Sequence, residues 1–308
     1  MEKRAFLFPG QGSQAVGMGK DFFEASSAAR EIFFKADEIL GFALSRLCFE
    51  GPEEELRLTQ NTQPALLIVS YIAYTLLGED PAIAVGHSLG EYSALVASGS
   101  LCFEDAVLLV HKRGKYMQEA VPVGVGAMAT VLGSDHEEVT KALSEVKEGI
   151  VEIANWNSKE QIVIAGHETA VKEALSLIKP PRSLMLPVSA PFHCKLMKSA
   201  EEKLSHDLDV VEFKDLEFPI ITNVDARIIR KGEEARDALK RQVTRSVLWF
   251  RSMEIMCDQG VNLFVELGSG KVLSGLIKRI GRDWPVAPKV ANVQDMESLK
   301  NFKRALLD

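Results

Sequence analysis

The sequence predicts an α/β fold in two parts, a large domain built on a mostly parallel sheet and a small unit inserted into it. Three observations carry this. Short apolar strands alternate with helices through the N-terminal part, the order that buries a parallel sheet on both faces. Between residues 127 and 188 the order becomes β-α-β-β-α-β, the split βαβ or ferredoxin-like unit. Beyond it the alternating pattern resumes, and no repeat or Pro/Gly/Ser linker separates the parts, so the small unit reads as an insertion. The expected division is 1–123 with 191–308 for the large domain and 124–190 for the insertion.

Each element follows from local pattern. Residues 5–8 form an apolar run that reads as a buried strand, and 26–40 a helix that Gly41 terminates. Pro52 followed by Glu53, Glu54 and Glu55 starts another helix, because proline suits the first turn and carboxylates suit the positive end of the dipole. A helix over 64–77 leads to a strand over 82–85, the motif GHSLGEY (86–92) and a helix over 103–118. In the inserted unit, strands are expected over 127–132, 150–156, 161–165 and 183–188. Its helices, over 135–146 and 168–178, carry the stripes Val139, Ala142, Leu143, Val146 and Val171, Ala174, Leu175, Ile178. Strands over 219–224 and 262–266 and a helix over 271–280 complete the series.

The composition, 46% hydrophobic and 26% charged over 308 residues, is that of an ordinary globular protein. Apolar runs fall far short of the roughly 20 residues that span a bilayer, and the N-terminus MEKRAFLFPGQ lacks a signal-peptide pattern. A cytoplasmic protein without membrane partners is expected. Cys48, Cys102, Cys194 and Cys257 form no CxxC pair, which argues against a zinc ribbon, a redox motif or a disulfide scaffold; no metal site is expected. A net charge of -7 gives no overall reason to bind nucleic acid, so an anionic ligand requires a local basic patch.

The chemistry concentrates in a few stretches. Residues 86–90 fit G-x-S-x-G between a strand and a helix, the context that pushes a serine hydroxyl out above a sheet edge beside backbone N–H groups. Two readings of Ser88 are open, a nucleophile or a mere helix cap. Of the six histidines, His87 adjoins Ser88, where neighbouring side chains diverge, while His111, His136, His167 and His206 lie in polar surroundings. His193 follows Ser189-Ala-Pro-Phe192 where the insertion returns to the large domain, at the expected cleft. It is a candidate base or a histidine packed beside Pro191. Cys194 cannot pair with it, because neighbours in an extended segment point opposite ways. Arg113 flanks the apolar face of its helix, so it must meet an anion, either a structural carboxylate or one on a substrate. Gly10-x-Gly12-x-x-Ala15 fits the dinucleotide fingerprint loosely but lacks the second strand it requires. That loop and Gly268-Ser-Gly-Lys271 read as tight turns.

Together FPGQGSQ (8–14), NTQPALL (61–67), GHSLGEYSALVASG (86–99), KRGKYMQEAV (112–121), APFHCKLM (190–197) and ELGSGKVLSGLIKRI (266–280) resemble the malonyl-CoA:acyl carrier protein transacylases of bacterial fatty-acid synthesis. The resemblance implies a hydrolase-like large domain with a ferredoxin-like insertion. It implies Ser88 as acylated nucleophile, His193 as base, the backbone amides of Gln11 and Leu89 as oxyanion hole, and Arg113 as holder of the malonyl carboxylate. The carbonyl of Gln242 would orient the histidine in place of a triad carboxylate, and Phe192 would disfavour branched acyl groups. The implied partners are malonyl-CoA and acyl carrier protein, with no cofactor. Lys179, Arg182, Lys195 and Lys198 are candidates for a basic patch at the cleft mouth. The chain departs from the family at Lys159 and Ser246, where proline is frequent, and at Ser269, where GPGK is frequent. The rivals are a serine esterase or thioesterase using the same pair, and a non-catalytic nucleotide-binding domain using the Gly10 loop.

Overall fold

The structure, a computed structural model, describes residues 3–122, 124–188 and 190–305. Val123, at the expected domain boundary, and Ser189, which opens the segment leading to His193, lie outside the described residues.

The strands are β1 (Arg4–Phe8), β2 (Ile83–Gly86), β3 (Gly126–Leu132), β4 (Val151–Ser158), β5 (Gln161–His167), β6 (Arg182–Met185), β7 (Ile220–Ile221), β8 (Ile228–Ile229), β9 (Leu263–Leu267) and β10 (Lys289–Val293). They form two sheets. One has the order β10-β9-β1-β2-β7-β8 and is parallel except where β8 meets β7. The other, β4-β5-β3-β6, is wholly antiparallel. The expected mixed α/β fold with a mostly parallel sheet is therefore present.

Strand β1 shows why the parallel sheet needs cover on both faces. Phe6 and Phe8 pack on one side with Leu66, Val69 and Ala73 of the helix Thr59–Leu77, whereas Ala5 and Leu7 pack on the other with Trp249, Met253 and Ile277. Burying each large side chain stabilises the fold by about 1.5–3 kcal/mol. In the antiparallel sheet the stripes on the helices His136–Ser144 and Glu168–Ile178 cover one face, meeting Ala129, Val131, Ile162 and Ile164, while Met128, Ala154, Val163 and Ala165 on the other face are buried in the main core. Strand β4 also reaches beyond its own sheet, to the segment before the helix Trp249–Asp258. Val247 N–H donates to the Ala154 carbonyl and Trp156 N–H to the Val247 carbonyl, each at 2.9 Å.

Two boundaries differ from expectation for physical reasons. The central helix starts at Thr59 and runs through Pro64 rather than beginning there. Proline offers no N–H to the Gln60 carbonyl one turn back, and the His111 ring supplies one, with Nδ1 2.9 Å from that oxygen. The strand expected over 219–224 shrinks to Ile220–Ile221, because Asn223 spends its backbone elsewhere: its N–H goes to the Glu91 carboxylate and its carbonyl receives Leu248 N–H.

Candidate active site

Strands β1 and β2 are adjacent and parallel, and both end at the same edge of the sheet. There β2 turns into the helix Gly90–Ala97 within three residues. A Cβ at Gly90 would lie 2.0 Å from the Phe8 carbonyl oxygen, so only glycine lets the turn sit this close to β1. Ser88 at its apex has φ 52°, a left-handed conformation that costs a non-glycine residue about 1–2 kcal/mol. Asn223, from the end of β7, holds it there. Its Oδ1 accepts the Ser88 N–H at 2.6 Å, and its Nδ2 donates to the Gly86 carbonyl at 2.7 Å.

His193 lies 105 residues further along the chain, and its Nε2 is 2.8 Å from Ser88 Oγ. Its Nδ1 is 2.9 Å from the Gln242 carbonyl oxygen. A carbonyl can only accept, so Nδ1 carries the proton and Nε2 is free to accept from the serine. His193 also has a left-handed backbone, φ 59°. Burial, reinforced by the positive charge of Arg113, lowers its pKa to about 3, which keeps the ring neutral. Ser246 Oγ donates to the Ile153 carbonyl, tying the turn after Gln242 to β4.

Arg113 projects from the helix Phe103–Glu119 and is 1% exposed. No carboxylate touches it among the described residues, so the structural counter-ion anticipated as the ordinary answer is not what it meets. Its Nη1 donates to Gln63 Oε1 at 2.8 Å and its Nη2 to Gln242 Oε1 at 2.8 Å and Ser88 Oγ at 3.1 Å, while Nε has no partner. The guanidinium lies 5.5 Å from the centre of the Tyr92 ring. A buried cation served by neutral groups is incompletely compensated, and its remaining demand is for an anion.

Ser88, His193, Arg113 and Gln63 line a chamber of about 120 Å³ together with Gln11, His87, Leu89 and Phe192. Gly10 packs so close to the elbow that a Cβ there would lie 2.4 Å from the His87 carbonyl oxygen, which brings Gln11 beside Ser88. The backbone N–H groups of Gln11 and Leu89 meet no acceptor among the described residues. A second, larger groove of about 770 Å³ lies outside, and His193 lines both. Of the four anticipated basic residues, Lys195 and Lys198 line this groove, paired with Glu152 and Glu201; Lys179 and Arg182 line neither space. Arg241 and Arg245, which line it too, were not singled out in the sequence.

Other candidates stay out of the Ser88–His193 pairing. His87 Nε2 lies 2.9 Å from Asn157 Oδ1 and its ring packs on Trp249, so it is bound away from Ser88. The Cys194 thiol donates to the Pro191 carbonyl, and burial pushes its pKa up to about 12, which removes a thiolate from the chemistry. After Gly10–Gly12 the chain makes turns up to Gly19 before a helix begins at Lys20, so the loop does not open directly into its own helix as the dinucleotide fingerprint requires. Ser269 Oγ donates to the Ser13 carbonyl at 2.7 Å, a brace between the two glycine turns. Sequence reasoning missed Gln63, Asn223 and Glu91. Glu91 is the one carboxylate in an otherwise apolar and small-residue helix, but its place in the first turn gives it an ordinary local explanation.

Among the described residues no cluster of His, Cys, Asp and Glu is placed to hold a metal, and no helix is long and apolar enough to cross a membrane.

The profile of the acyl transferase domain family matches residues 5–306. The chain is 47% identical over 290 residues to the malonyl CoA-acyl carrier protein transacylase of Bacillus subtilis, covering 92% of each chain. It is 48% identical over 288 residues to that of Escherichia coli K12, covering 91% of this chain and 93% of the other. Among solved structures, the malonyl CoA-acyl carrier protein transacylase of Coxiella burnetii superposes with a TM-score of 0.95 at 38% identity, covering 100% of this chain and 98% of that one. A malonyl-transacylase in complex with a type II PKS acyl-carrier protein superposes at 0.93 with 43% identity, over 97% of this chain and 98% of that one.

Proposed function

The chain belongs to the acyl transferase domain family and is an acyltransferase, and on that premise we propose that it moves a malonyl group from malonyl-CoA to the phosphopantetheine thiol of an acyl carrier protein through a malonyl-Ser88 ester. The observation that carries the proposal is Arg113. A buried guanidinium with a partnerless Nε, 3.1 Å from Ser88 Oγ in a small chamber, selects an acyl group that brings its own carboxylate. The names of the relatives support the same donor and acceptor.

In the first half-reaction His193 Nε2 takes the Ser88 hydroxyl proton as Oγ bonds to the thioester carbonyl carbon. The N–H groups of Gln11 and Leu89 receive the oxyanion. The carbon–sulfur bond breaks and His193 returns the proton to the coenzyme A sulfur. In the second half the carrier thiol gives its proton to His193, its sulfur attacks the ester, and Ser88 recovers the proton as the carbon–oxygen bond breaks. The Gln242 carbonyl keeps the imidazole in the required tautomer without a carboxylate, and Phe192 closes the chamber against a branched group. The acyl portion occupies the inner chamber and the pantetheine arm the outer groove, with His193 at their junction.

The same reading assigns residues 1–123 and 191–308 to a hydrolase-like domain and 124–190 to a ferredoxin-like insertion. The strand order β4-β5-β3-β6 with two helices on one face supports the latter. Hydrolysis by the same pair differs only in the acceptor, and no relative named above is a hydrolase. Mass spectrometry after mixing with malonyl-CoA tests the proposal. A malonyl adduct on the Ser88 peptide, stable in water, discharged by holo carrier protein and absent from Ser88→Ala, is the expected result. Rapid discharge by water alone would assign the chain to hydrolysis.

A further inference from the structure

Glu91 is 0% exposed, three residues after Ser88, and takes no part in the steps above. Its Oε2 accepts two hydrogen bonds, from Asn223 N–H at 3.0 Å and from Gln242 Nε2 at 2.7 Å. Both donors matter elsewhere. The Asn223 side chain clamps the elbow, and Gln242 turns its own Oε1 to Arg113 while its backbone carbonyl holds His193. The Gln242 amide thus bridges a buried cation and a buried anion, and only one orientation satisfies both, oxygen to the donor-only guanidinium and nitrogen to the carboxylate. Glu91 Oε1 has no partner, so a proton added there breaks no hydrogen bond.

We propose that Glu91 is the resident counter-charge of the acyl chamber: it positions Gln242, and through it Arg113 and the carbonyl that holds His193, and its negative charge is traded for that of the incoming acyl carboxylate. The inference rests on the reading of Arg113 as the carboxylate receptor. Two anions and one cation in a buried site are unfavourable, so as the substrate carboxylate pairs with Arg113, Glu91 takes one proton from solvent at Oε1 and releases it when the acyl group leaves. The charged groups acting on Glu91 are Arg113, from the helix Phe103–Glu119, which favours its ionised form, and Asp225, in the loop after β7, which opposes it; Tyr92 adjoins on its own helix. Burial raises the Glu91 pKa to about 7 against the hydrogen bonds from Gln242 and Asn223, so the empty site is already poised for the exchange.

Calorimetry on Ser88→Ala, which cannot be acylated, in buffers of different ionisation enthalpy near pH 7.5 tests this. Malonyl-CoA binding is expected to take up about three quarters of a proton, since a group with a pKa of about 7 is already about a quarter protonated at this pH, and acetyl-CoA binding none. Malonyl-CoA binding tighter than acetyl-CoA binding with no proton uptake overturns the inference. Equal affinity for the two thioesters instead overturns the reading of Arg113 beneath it. Adding Glu91→Gln should abolish the uptake and tighten malonyl-CoA binding at least threefold, and uptake that persists would overturn the inference. With Ser88 restored, Glu91→Gln should lower kcat about tenfold or more without raising the malonyl-CoA KM; a raised KM with unchanged kcat would mark a merely structural residue. If Glu91→Gln fails to fold, the Ser88→Ala calorimetry decides alone.

Discussion

The inner chamber and the outer groove share His193 and both contain guanidinium groups, but they use charge in opposite ways. Inside, Arg113 is sealed from water and touches no carboxylate among the described residues. Outside, Arg241 pairs with Asp225 and Asp237 at 2.7 Å each, and Lys195 pairs with Glu152 at 2.7 Å, all with substantial exposure. Desolvation explains the contrast. A buried charge left short of a partner commits the site to one kind of ligand, whereas a solvated pair is screened and exchanges partners at little cost. On the proposed function, selectivity for the acyl group belongs to the chamber and adjustable recognition of a carrier to the groove.

The sharpest way to break this comparison is Arg113→Ala. Malonyl transfer should fall by about 2–5 kcal/mol in kcat/KM, thirtyfold or more, with a much smaller loss for acetyl-CoA; steady-state assays with both thioesters check it, and equal losses would remove the distinction. Phe192→Ala comes next. Methylmalonyl-CoA should gain about tenfold relative to malonyl-CoA, the scale of one added methyl in an apolar pocket, measured as the ratio of kcat/KM values.

The pH profile sharpens the electrostatic side. A base acts when neutral, and the His193 pKa of about 3 puts the acid limb of kcat/KM well below the ordinary histidine range. A bound carboxylate cancels the field of Arg113, so the limb seen in kcat should lie at higher pH than the limb in kcat/KM. The smallest effect belongs to the groove. Lys195→Glu with Lys198→Glu should weaken carrier-protein binding about two- to fivefold at low ionic strength and not detectably at high salt, by titration against holo carrier protein.

Much of the frame was legible because it rests on local pattern. Alternating apolar strands predicted the parallel sheet, and the glycines flanking Ser88 predicted its exposed turn. His193 could be singled out by its place at the return from the insertion, but its distance from Ser88 is a tertiary fact that no spacing encodes. The role of Gln242 came from resemblance alone, since its backbone carbonyl matters and any side chain supplies one. Glu91 and Asn223 stayed hidden for a related reason. A carboxylate in the first turn of a helix has an adequate local explanation, and nothing nearby in sequence announces that its partners come from residues 223 and 242. Pro64 misled in the same way, because the ring that satisfies its helix lies on another one.

Ser88 and His193 are two of only four non-glycine residues with left-handed backbones among the described residues. Each is held against its own conformational preference, so this hydrogen-bonded pair is a place where the chain is less robust than it could be. A selection for heat tolerance that did not monitor turnover would find glycine attractive at Ser88, where little buried bulk is lost. Durable variants drawn from such a selection would tend to be inert, and any programme to toughen this enzyme has to leave these two residues uncomfortable.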